Sequence, residues 1–433
     1  MILIKKLKVS NFKSFKDVEI EFRDFDVIIG ANASGKSNLI QIFSFLRDIQ
    51  TSGLNDAISL QGGIQFLRNV ILGDSENISF EITMNAPDDR DTTYWHPIHR
   101  LKSIENYRIE YKPLELIYKF SLKTSKTGKS YKIEEDRATL RCTFFKHVRA
   151  SVANRPSKRR REMPIKLGEG ALILNNAKGR IKLEIVQPEG ETLISPIRGE
   201  NIYERINSKS LILELPYFFY NRFFNKSFRG IGIYDFDPKL PKRAIPITAK
   251  AQLEEDGSNL SIVLNHILEV RKDKVTFHNL MTDLLPFVDK LAVERLSDKS
   301  ILFKLHEIYF KRQYLPSSFI SDGTINISAL IVALYFQSKR LTIIEEPERN
   351  IHPYLISKVV EMVREAAKKK QVIITTHNPE MIRNVSPEEI LTVDRDNTGF
   401  SKVYRPSSIE RVAEFMKNGM GVDELYVMDL LGL

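Results

Sequence analysis

Cysteine is nearly absent from this sequence, and a long hydrophobic run is absent altogether. The single cysteine, Cys142, excludes an intrachain disulfide or a cysteine-based zinc site, and we expect it to be a small buried hydrophobe. The longest apolar stretch, Ile327–Phe336, is about half of the ~20 residues that a membrane span needs, so it predicts a buried core helix. The first residues lack the apolar run of a secretory leader. These absences predict a protein of the reducing cytoplasm.

The positive charge of the chain is concentrated in one segment. The net charge is +10 over 433 residues, and the stretch from His147 to Lys166 holds seven Lys or Arg residues and one Glu. Such a run predicts a contact with a nucleic-acid backbone, DNA or RNA, although a solvated flexible loop has the same composition. The candidate nucleic-acid residues lie in the stretch RPSKRRRE and are Arg155, Lys158, Arg159, Arg160 and Arg161.

A glycine-rich motif lies near the amino terminus. Residues 30–37 read GANASGKS and fit the pattern G-x-x-x-x-G-K-[ST], between an apolar run that predicts a strand and a stretch with helical spacing. Backbone N–H groups of such a loop point at phosphate oxygens, the lysine reaches the β- and γ-phosphates, and the serine hydroxyl binds Mg²⁺. The expected nucleotide-binding residues are Gly30, Ala31, Asn32, Ala33, Ser34, Gly35, Lys36, Ser37 and Asn38.

Acidic residues and a histidine follow two further apolar runs near the carboxyl end. Glu345 and Glu346 end the run Leu341–Ile344, and His377 follows the run Gln371–Thr375, with an amphipathic helical pattern between. This is a β-α-β unit, which brings both strand tips to one sheet edge. Carboxylates there suit Mg²⁺ coordination and activation of a water, although ordinary strand ends also carry acids.

A polar segment precedes the long apolar helix. Ser321, Asp322 and Gly323 stand at its start. Ser and Asp are good N-caps, which is the simpler interpretation. The alternative is a second anion site, formed by the helix N-terminus together with the glycine.

This order of motifs resembles the ABC ATPase head and, more narrowly, the RecF/SMC-like heads of AAA family ATPases that lack a long coiled coil. The resemblance implies an α/β P-loop NTPase fold. It is carried by short strings at both ends of the chain, namely NFKSF (11–15), GANASGKSN (30–38), LEEDGSNLSIVL (253–264), SDGT (321–324), EEPERNIHP (345–353) and TTHNP (375–379).

The resemblance also implies roles for residues. Two heads would sandwich two ATP molecules, with residues 321–323 of one head capping the γ-phosphate bound by Lys36 of the other. Glu346 would orient or deprotonate the attacking water, and His377 would contact the γ-phosphate. Ser37 and Glu345 would hold Mg²⁺, although related ATPases commonly have aspartate at the position of Glu345. Further candidates are Lys13 and Ser14 for the nucleotide, and Gln61 or Gln65 as the glutamine that senses Mg²⁺.

The two halves of this head are separated by a long insertion. No heptad pattern is sustained over three or four repeats, so a long coiled-coil rod is disfavoured. Short β-rich pieces come first, among them separate strands expected at 107–111 and 114–123, and a helical stretch follows. An aromatic-rich segment, 216–230, suits a core, an interface or base stacking. We predict half-heads at 1–88 and 300–405, a β-rich insertion at 89–250, a helical subdomain at 251–299 and a helical tail at 406–433.

Three functions remain open at this point. The first is a dimeric ATPase that acts on DNA in repair or anti-phage defence together with a separate effector or nuclease. The second is a nucleotide-bound scaffold that hydrolyses little and holds partner proteins. The third, the ATPase subunit of a membrane transporter, is disfavoured because the SDGT segment has few glycines and lies far from the phosphate loop.

Overall fold

The structure is a computed structural model. It describes residues 4–85, 107–125, 130–148, 164–190, 204–215, 228–247, 250–310, 312–428 and 430–431. The chain divides into two compact units: the first comprises residues 1, 22–44 and 230–433, and the second comprises residues 2–21 and 45–229. Helix α1 (Lys36–Ser52) contributes residues to both. Within the described ranges, no helix is both long and apolar enough to cross a membrane.

A largely parallel sheet forms the centre of the first unit. Its parallel strands are short, largely apolar runs that are mostly buried, as is typical of parallel strands covered by helices. Neighbours pair in parallel except at the last position, where the pairing is antiparallel. In sheet order, the strands are β10 (Ile231–Tyr234), β15 (Leu341–Glu345), β16 (Gln371–Thr375), β3 (Phe25–Ile29), β17 (Ile390–Arg395) and β18 (Ser401–Tyr404).

Helices of the first unit pack into one continuous apolar core. The predicted core helix is confirmed, since α6 (Asp322–Ile331) and the π-helical turn Val332–Phe336 that continues it are largely buried. The amphipathic helix α7 (Ile356–Ala367) connects β15 to β16 and completes the predicted β-α-β unit. The helices are α4 (Leu260–Glu269), α5 (Arg271–Leu284), α6 (Asp322–Ile331), α7 (Ile356–Ala367), α8 (Pro379–Arg383), α9 (Glu410–Lys417) and α10 (Val422–Val427).

A small antiparallel sheet also belongs to the first unit. Its strands pair in the order β11, β13, β12, with β14 also paired to β13. Residues of β12 and β13 contribute to the apolar core beside α4 and α5, the two helices expected from the periodicity of this region. The strands are β11 (Ile245–Pro246), β12 (Val288–Arg295), β13 (Ser300–Glu307) and β14 (Tyr314–Pro316).

The second unit is built on an antiparallel sheet of eight strands among the described residues. Alternate side chains of β4 are buried, and the rings of Phe80, on β4, and Phe120 stack at 4.8 Å. Cys142 is fully buried there, as expected. In sheet order, the strands are β2 (Phe15–Glu21), β1 (Ile4–Phe12), β4 (Ile78–Asn85), β5 (Tyr107–Thr124), β6 (Tyr131–Val148), β7 (Ile165–Ala177), β8 (Arg180–Val186) and β9 (Glu204–Arg205), with short helices α2 (Leu54–Leu60) and α3 (Ile64–Leu67).

Two pieces expected as separate strands, residues 107–111 and 114–123, form the single strand β5. Pro113 separates them in the sequence, and the pairing register with β6 shifts between Pro113 and Glu115. A proline is tolerated at such a bulge because the ladder hydrogen bond is already interrupted there. The first described strand of the insertion is therefore one long strand of 18 residues, although Pro113 makes it read as two short strands in the sequence.

A buried carboxylate in the second unit joins three segments of the chain through hydrogen bonds. The Asp136 side chain is 3% exposed and accepts hydrogen bonds from the Tyr118 hydroxyl, the Asn176 amide and the backbone N–H of Ile212, each at 2.8 Å. Burial raises the pKa of Asp136 to about 7, although these hydrogen bonds act in the opposite direction. The segment around Ile212 is thereby tied to β6.

Some sequence predictions fall outside the described part of the chain. The basic stretch 155–162 lies there entirely, as do residues 216–227 of the aromatic-rich segment. The expected nucleic-acid contact therefore stays a prediction. The expected division of the chain into five segments also stays a prediction.

Candidate functional site

The glycine-rich loop follows β3 and leads directly into α1, with a strand and a helix on its two sides as expected. Gly30 has φ 153°, and a Cβ at this position would lie 2.2 Å from the carbonyl oxygen of Val393. A side chain cannot be accommodated there without moving the backbone of β17. Ala33 and Gly35 also have positive φ values, 63° and 116°. The backbone therefore curls tightly, as a phosphate-binding loop must.

Lys36 lies inside this curl. Its Nζ donates to the carbonyl oxygens of Gly30 at 2.6 Å and Ala31 at 2.9 Å. Burial lowers the pKa of Lys36, while the charges of Glu346 and Glu345 oppose that effect. The Ser34 hydroxyl is buried and has no hydrogen-bond partner within the described residues. A loop with a central cation and an unsatisfied hydroxyl fits a phosphate group, which would supply acceptor oxygens to both.

The strand register brings distant segments to one edge of the sheet. Glu345 on β15 pairs with Thr375 on β16, and Thr375 pairs with Ile28 on β3, two positions before Gly30. These pairings are parallel, so the carboxyl ends of all three strands meet at the same edge. Ligands bind at this edge in open α/β sheets. The phosphate loop, the acidic pair and the histidine-bearing tip are therefore brought together.

Glu346 leaves the end of β15 in a conformation that is uncommon outside glycine. Its φ is 44°, and its backbone N–H donates to the Thr375 carbonyl at 3.0 Å. Its Oε1 lies 2.8 Å from Nδ1 of His377, and its Oε2 lies 3.1 Å from Nη2 of Arg349. Burial alone would raise the pKa of Glu346, but Arg349 and His377 outweigh it, and the pKa is lowered. The carboxylate thus stays ionised at neutral pH.

Glu345 is in a different electrostatic environment. Burial raises the pKa of Glu345, the charges of Asp235 and Glu346 add to the rise, and Arg349 and Lys36 reduce it. No group of three or more His, Cys, Asp or Glu side chains suited to a metal ion occurs in the described ranges. A hard cation at Ser37 and Glu345 would therefore need the oxygens of a bound nucleotide to complete its coordination, as Mg²⁺ commonly does.

The Ser321 segment is a helix N-cap, the simpler of the two interpretations. The Ser321 Oγ accepts a hydrogen bond from the Thr324 backbone N–H at 3.2 Å, and Asp322 forms an ion pair with Lys242 at 2.5 Å. A Cβ on Gly323 would lie 2.5 Å from the carbonyl oxygen of Asn350. The glycine thus permits α6 to approach the loop that follows Glu346. A role for this segment towards an anion stays a prediction.

The remaining expected nucleotide residues belong to the second unit. Lys13 has φ 47°, and its backbone N–H donates to the Leu67 carbonyl at 2.9 Å. Ser14 is buried, and Gln61 follows the end of α2 while Gln65 lies in α3. Their roles towards a nucleotide stay predictions.

The structure adds residues that sequence patterns did not single out. Arg349 and Asp235 pair at 2.9 Å beside Glu346. Asp235 follows the apolar strand β10 as Glu345 ends β15, so the same pattern of an acid after a short apolar run could have identified it. The Thr376 hydroxyl donates to the buried Glu348, and the Tyr426 hydroxyl lies 3.4 Å from the Gly30 carbonyl. No local pattern marks these last two contacts, because they join segments distant in sequence.

Comparison with known families and curated proteins gives three similarities. A family model described as "AAA ATPase domain" matches residues 1–382. The chain is similar to the Septu protein PtuA of Bacillus thuringiensis, with 25% identity over 226 residues that cover 47% of this chain and 52% of PtuA. It is also similar to Structural maintenance of chromosomes protein 1 of Arabidopsis thaliana, with 45% identity over 53 residues, 12% of this chain and 4% of that protein. The chain thus spans about half of the length of PtuA and a much smaller part of the other curated relative.

Among solved structures, the chain is similar to SMC head domains. An SMC head bound to the C-winged helix domain of ScpA has a TM-score of 0.49 and 16% identity, covering 95% of this chain and 99% of that chain. The SMC head domain from Thermotoga maritima has a TM-score of 0.43 and 14% identity, covering 93% of this chain and 99% of that chain.

Proposed function

The chain belongs to the AAA ATPase domain family, and from this premise we propose that it binds ATP with Mg²⁺ and hydrolyses the γ-phosphate as an ABC-type, RecF/SMC-like head. The observation that carries this proposal is the shared sheet edge. The loop around Lys36 follows β3, and the acids Glu345 and Glu346 lie at the same end of β15, with β16 pairing in parallel between these two strands. Each element of a phosphoryl-transfer site is then available from this chain.

The residues would divide the reaction as follows. The backbone N–H groups of residues 33–37 and the Lys36 ammonium would bind the phosphates. Ser37 and Glu345 would hold Mg²⁺, which neutralises charge on the transferred group. Glu346, ionised at neutral pH, would orient the attacking water or accept its proton, and His377 would contact the γ-phosphate.

The wider role is part of the same proposal. Two heads would close on ATP, with the Ser321 segment of one facing the nucleotide of the other, and the protein would act on DNA in repair or anti-phage defence. Similarity to the Septu protein PtuA supports the defence role. A separate effector or nuclease would carry out any cleavage.

The test is phosphate release by the purified protein with ATP and Mg²⁺, with and without DNA. Glu346→Gln keeps the size of the side chain but cannot act as a base, so we expect turnover to fall by about a hundredfold or more while ATP is retained. Glu389→Gln is the matched control, since Glu389 is also a carboxylate paired with an arginine, Arg364, at 2.9 Å. Unchanged turnover in Glu346→Gln would remove Glu346 from the mechanism.

The scaffold alternative has a distinct signature in the same experiment. Wild-type protein that binds ATP stably but releases no phosphate, even with DNA, would replace the hydrolytic proposal with a nucleotide-bound scaffold. Failure to bind ATP at all would refute both. DNA stimulation that weakens steeply with salt would support a backbone contact, because each neutralised phosphate releases counterions.

A further inference from the structure

Arg349 contacts the oxygen of Glu346 that His377 leaves free. Nη2 and Nε of Arg349 donate to Oε2 of Glu346 at 3.1 Å and 3.4 Å, while His377 is paired with Oε1. Each carboxylate oxygen therefore has its own partner. Two such partners define the orientation of the carboxylate plane.

Arg349 is itself held by other residues. Its Nη1 donates to Oδ1 of Asp235 at 2.9 Å and to the carbonyl of Phe236 at 3.2 Å. Its own carbonyl oxygen accepts from the Asn326 side-chain amide, on α6, at 2.6 Å. The guanidinium and the backbone are thus fixed from two different elements, so Arg349 is a rigid partner for Glu346 and not a mobile surface cation.

The charges of the site explain why Glu346 needs such a partner. The carboxyl groups of Glu345, Asp235 and Glu346 lie close enough for the last two to raise the pKa of Glu345, and a bound triphosphate would add further negative charge. Glu346 would be repelled by these groups if nothing opposed them. Arginine suits the task because its planar fork can serve two carboxylates at once, whereas a lysine ammonium lacks that geometry.

We propose that Arg349 is a positioning residue for ATP hydrolysis, which holds the Glu346 carboxylate towards the attacking water and is itself oriented by Asp235. This inference rests on the proposed function of the site. It assigns Arg349 no contact with the nucleotide, so its loss affects the chemical step and not the binding of ATP.

The experiment compares Arg349→Met, Arg349→Lys and Asp235→Asn with wild type in steady-state ATP hydrolysis and in equilibrium binding of ATP. Arg349→Met should lower kcat by about ten- to a hundredfold, the loss expected for a misplaced catalytic group, with KM and the dissociation constant changed by less than about threefold. Arg349→Lys should recover part of the loss. Asp235→Asn should have an intermediate effect, and combining it with Arg349→Met should add nothing, because both act through one contact chain.

Arg364→Met is the matched control. The Arg364 side chain is 38% exposed against 39% for Arg349, and it too is paired with a glutamate. We expect this variant to keep the wild-type kcat. Equal losses in Arg364→Met and Arg349→Met, or an unchanged or increased kcat in Arg349→Met, would overturn the positioning role.

Other outcomes separate this inference from the proposed function. A loss confined to ATP binding, with kcat retained at saturation, would mean that Arg349 contacts the nucleotide, and the positioning role would be refuted. If Arg349→Met does not fold, Arg349→Lys and Asp235→Asn decide, and full kcat in both refutes the role. Absence of turnover in wild type would show that the proposed function itself fails, and the role of Arg349 in hydrolysis fails with it.

Discussion

Arg405→Met should destabilise the first unit in a strongly pH-dependent manner. Arg405 forms an ion pair with Asp26, on the strand that carries the phosphate loop, with 2.7 Å between Nη2 and Oδ1. Asp26 is fully buried, and its other oxygen accepts the backbone N–H of Arg23 at 2.7 Å. Removing one partner of a buried pair leaves an uncompensated charge and costs about 3–5 kcal/mol.

The structure limits the charge-related part of this cost. Burial already raises the pKa of Asp26 above its ordinary value of 3.8, and the charge of Arg405 reduces that rise. Without Arg405, Asp26 in the folded state can take up a proton instead of keeping its charge. This costs about 1.4 kcal/mol for each unit by which the pH exceeds 3.8, the ordinary pKa that Asp26 has in the unfolded chain. The charge-related part therefore cannot exceed about 4 kcal/mol near pH 7, and it falls below about 2 kcal/mol near pH 5.

The sign of the pH dependence follows from proton binding. In the variant, the folded state binds a proton over a pH range in which the unfolded chain has lost it. The stability deficit relative to wild type therefore grows with pH above the pKa that Asp26 has in folded wild type, which itself lies above 3.8, and shrinks on acidification. Arg405→Met also loses a hydrogen bond to the Glu388 carbonyl at 2.8 Å, which adds about 1 kcal/mol at every pH.

Urea unfolding at about pH 5, 6 and 7 measures the effect. The double variant Asp26→Asn/Arg405→Met is the control, because it carries no buried charge. It should be more stable than Arg405→Met near neutral pH, and its stability should vary less with pH than that of Arg405→Met. An equal deficit for Arg405→Met at pH 5 and 7 would show that the pair is not electrostatically important.

The remaining predictions concern both units. Gly323→Ala places a methyl group 2.5 Å from the Asn350 carbonyl, so we expect at least about 1 kcal/mol of lost stability and reduced phosphate release; full activity would contradict this close approach. Because the pKa of Asp136 is raised to about 7, the folded state holds a proton that the unfolded chain loses above about pH 4. The free energy of unfolding of wild type, measured in urea, should therefore fall relative to that of Asp136→Asn by about 1.4 kcal/mol per pH unit between about pH 4 and 7, and parallel stability curves would refute this. Tyr426→Phe removes the hydroxyl that lies 3.4 Å from the Gly30 carbonyl, and the dissociation constant of a fluorescent ATP analogue should rise by less than about fivefold. A larger rise would mean that α10 takes a direct part in nucleotide binding.

The parts of the site that could be predicted are those with short-range causes. The phosphate loop was recognisable because glycines are required where φ is positive, as at Gly35, and because a strand and a helix flank it. The amphipathic pattern of α7 gave the β-α-β unit and hence the shared edge for Glu346 and His377. Strand β5 was divided in error at Pro113, since a proline ordinarily ends a strand and only the bulge explains its presence.

The sequence by itself determined the local elements and the family: a phosphate loop between strand and helix, an acidic strand end, and a histidine after the next strand. Only the tertiary structure decided which side chains meet. Arg349 and Asp235 are 114 positions apart, and their pairing depends on β10 lying beside β15, an order that hydrophobic periodicity does not encode. Periodicity specifies which face of an element is buried, whereas contacts between elements depend on strand order and register.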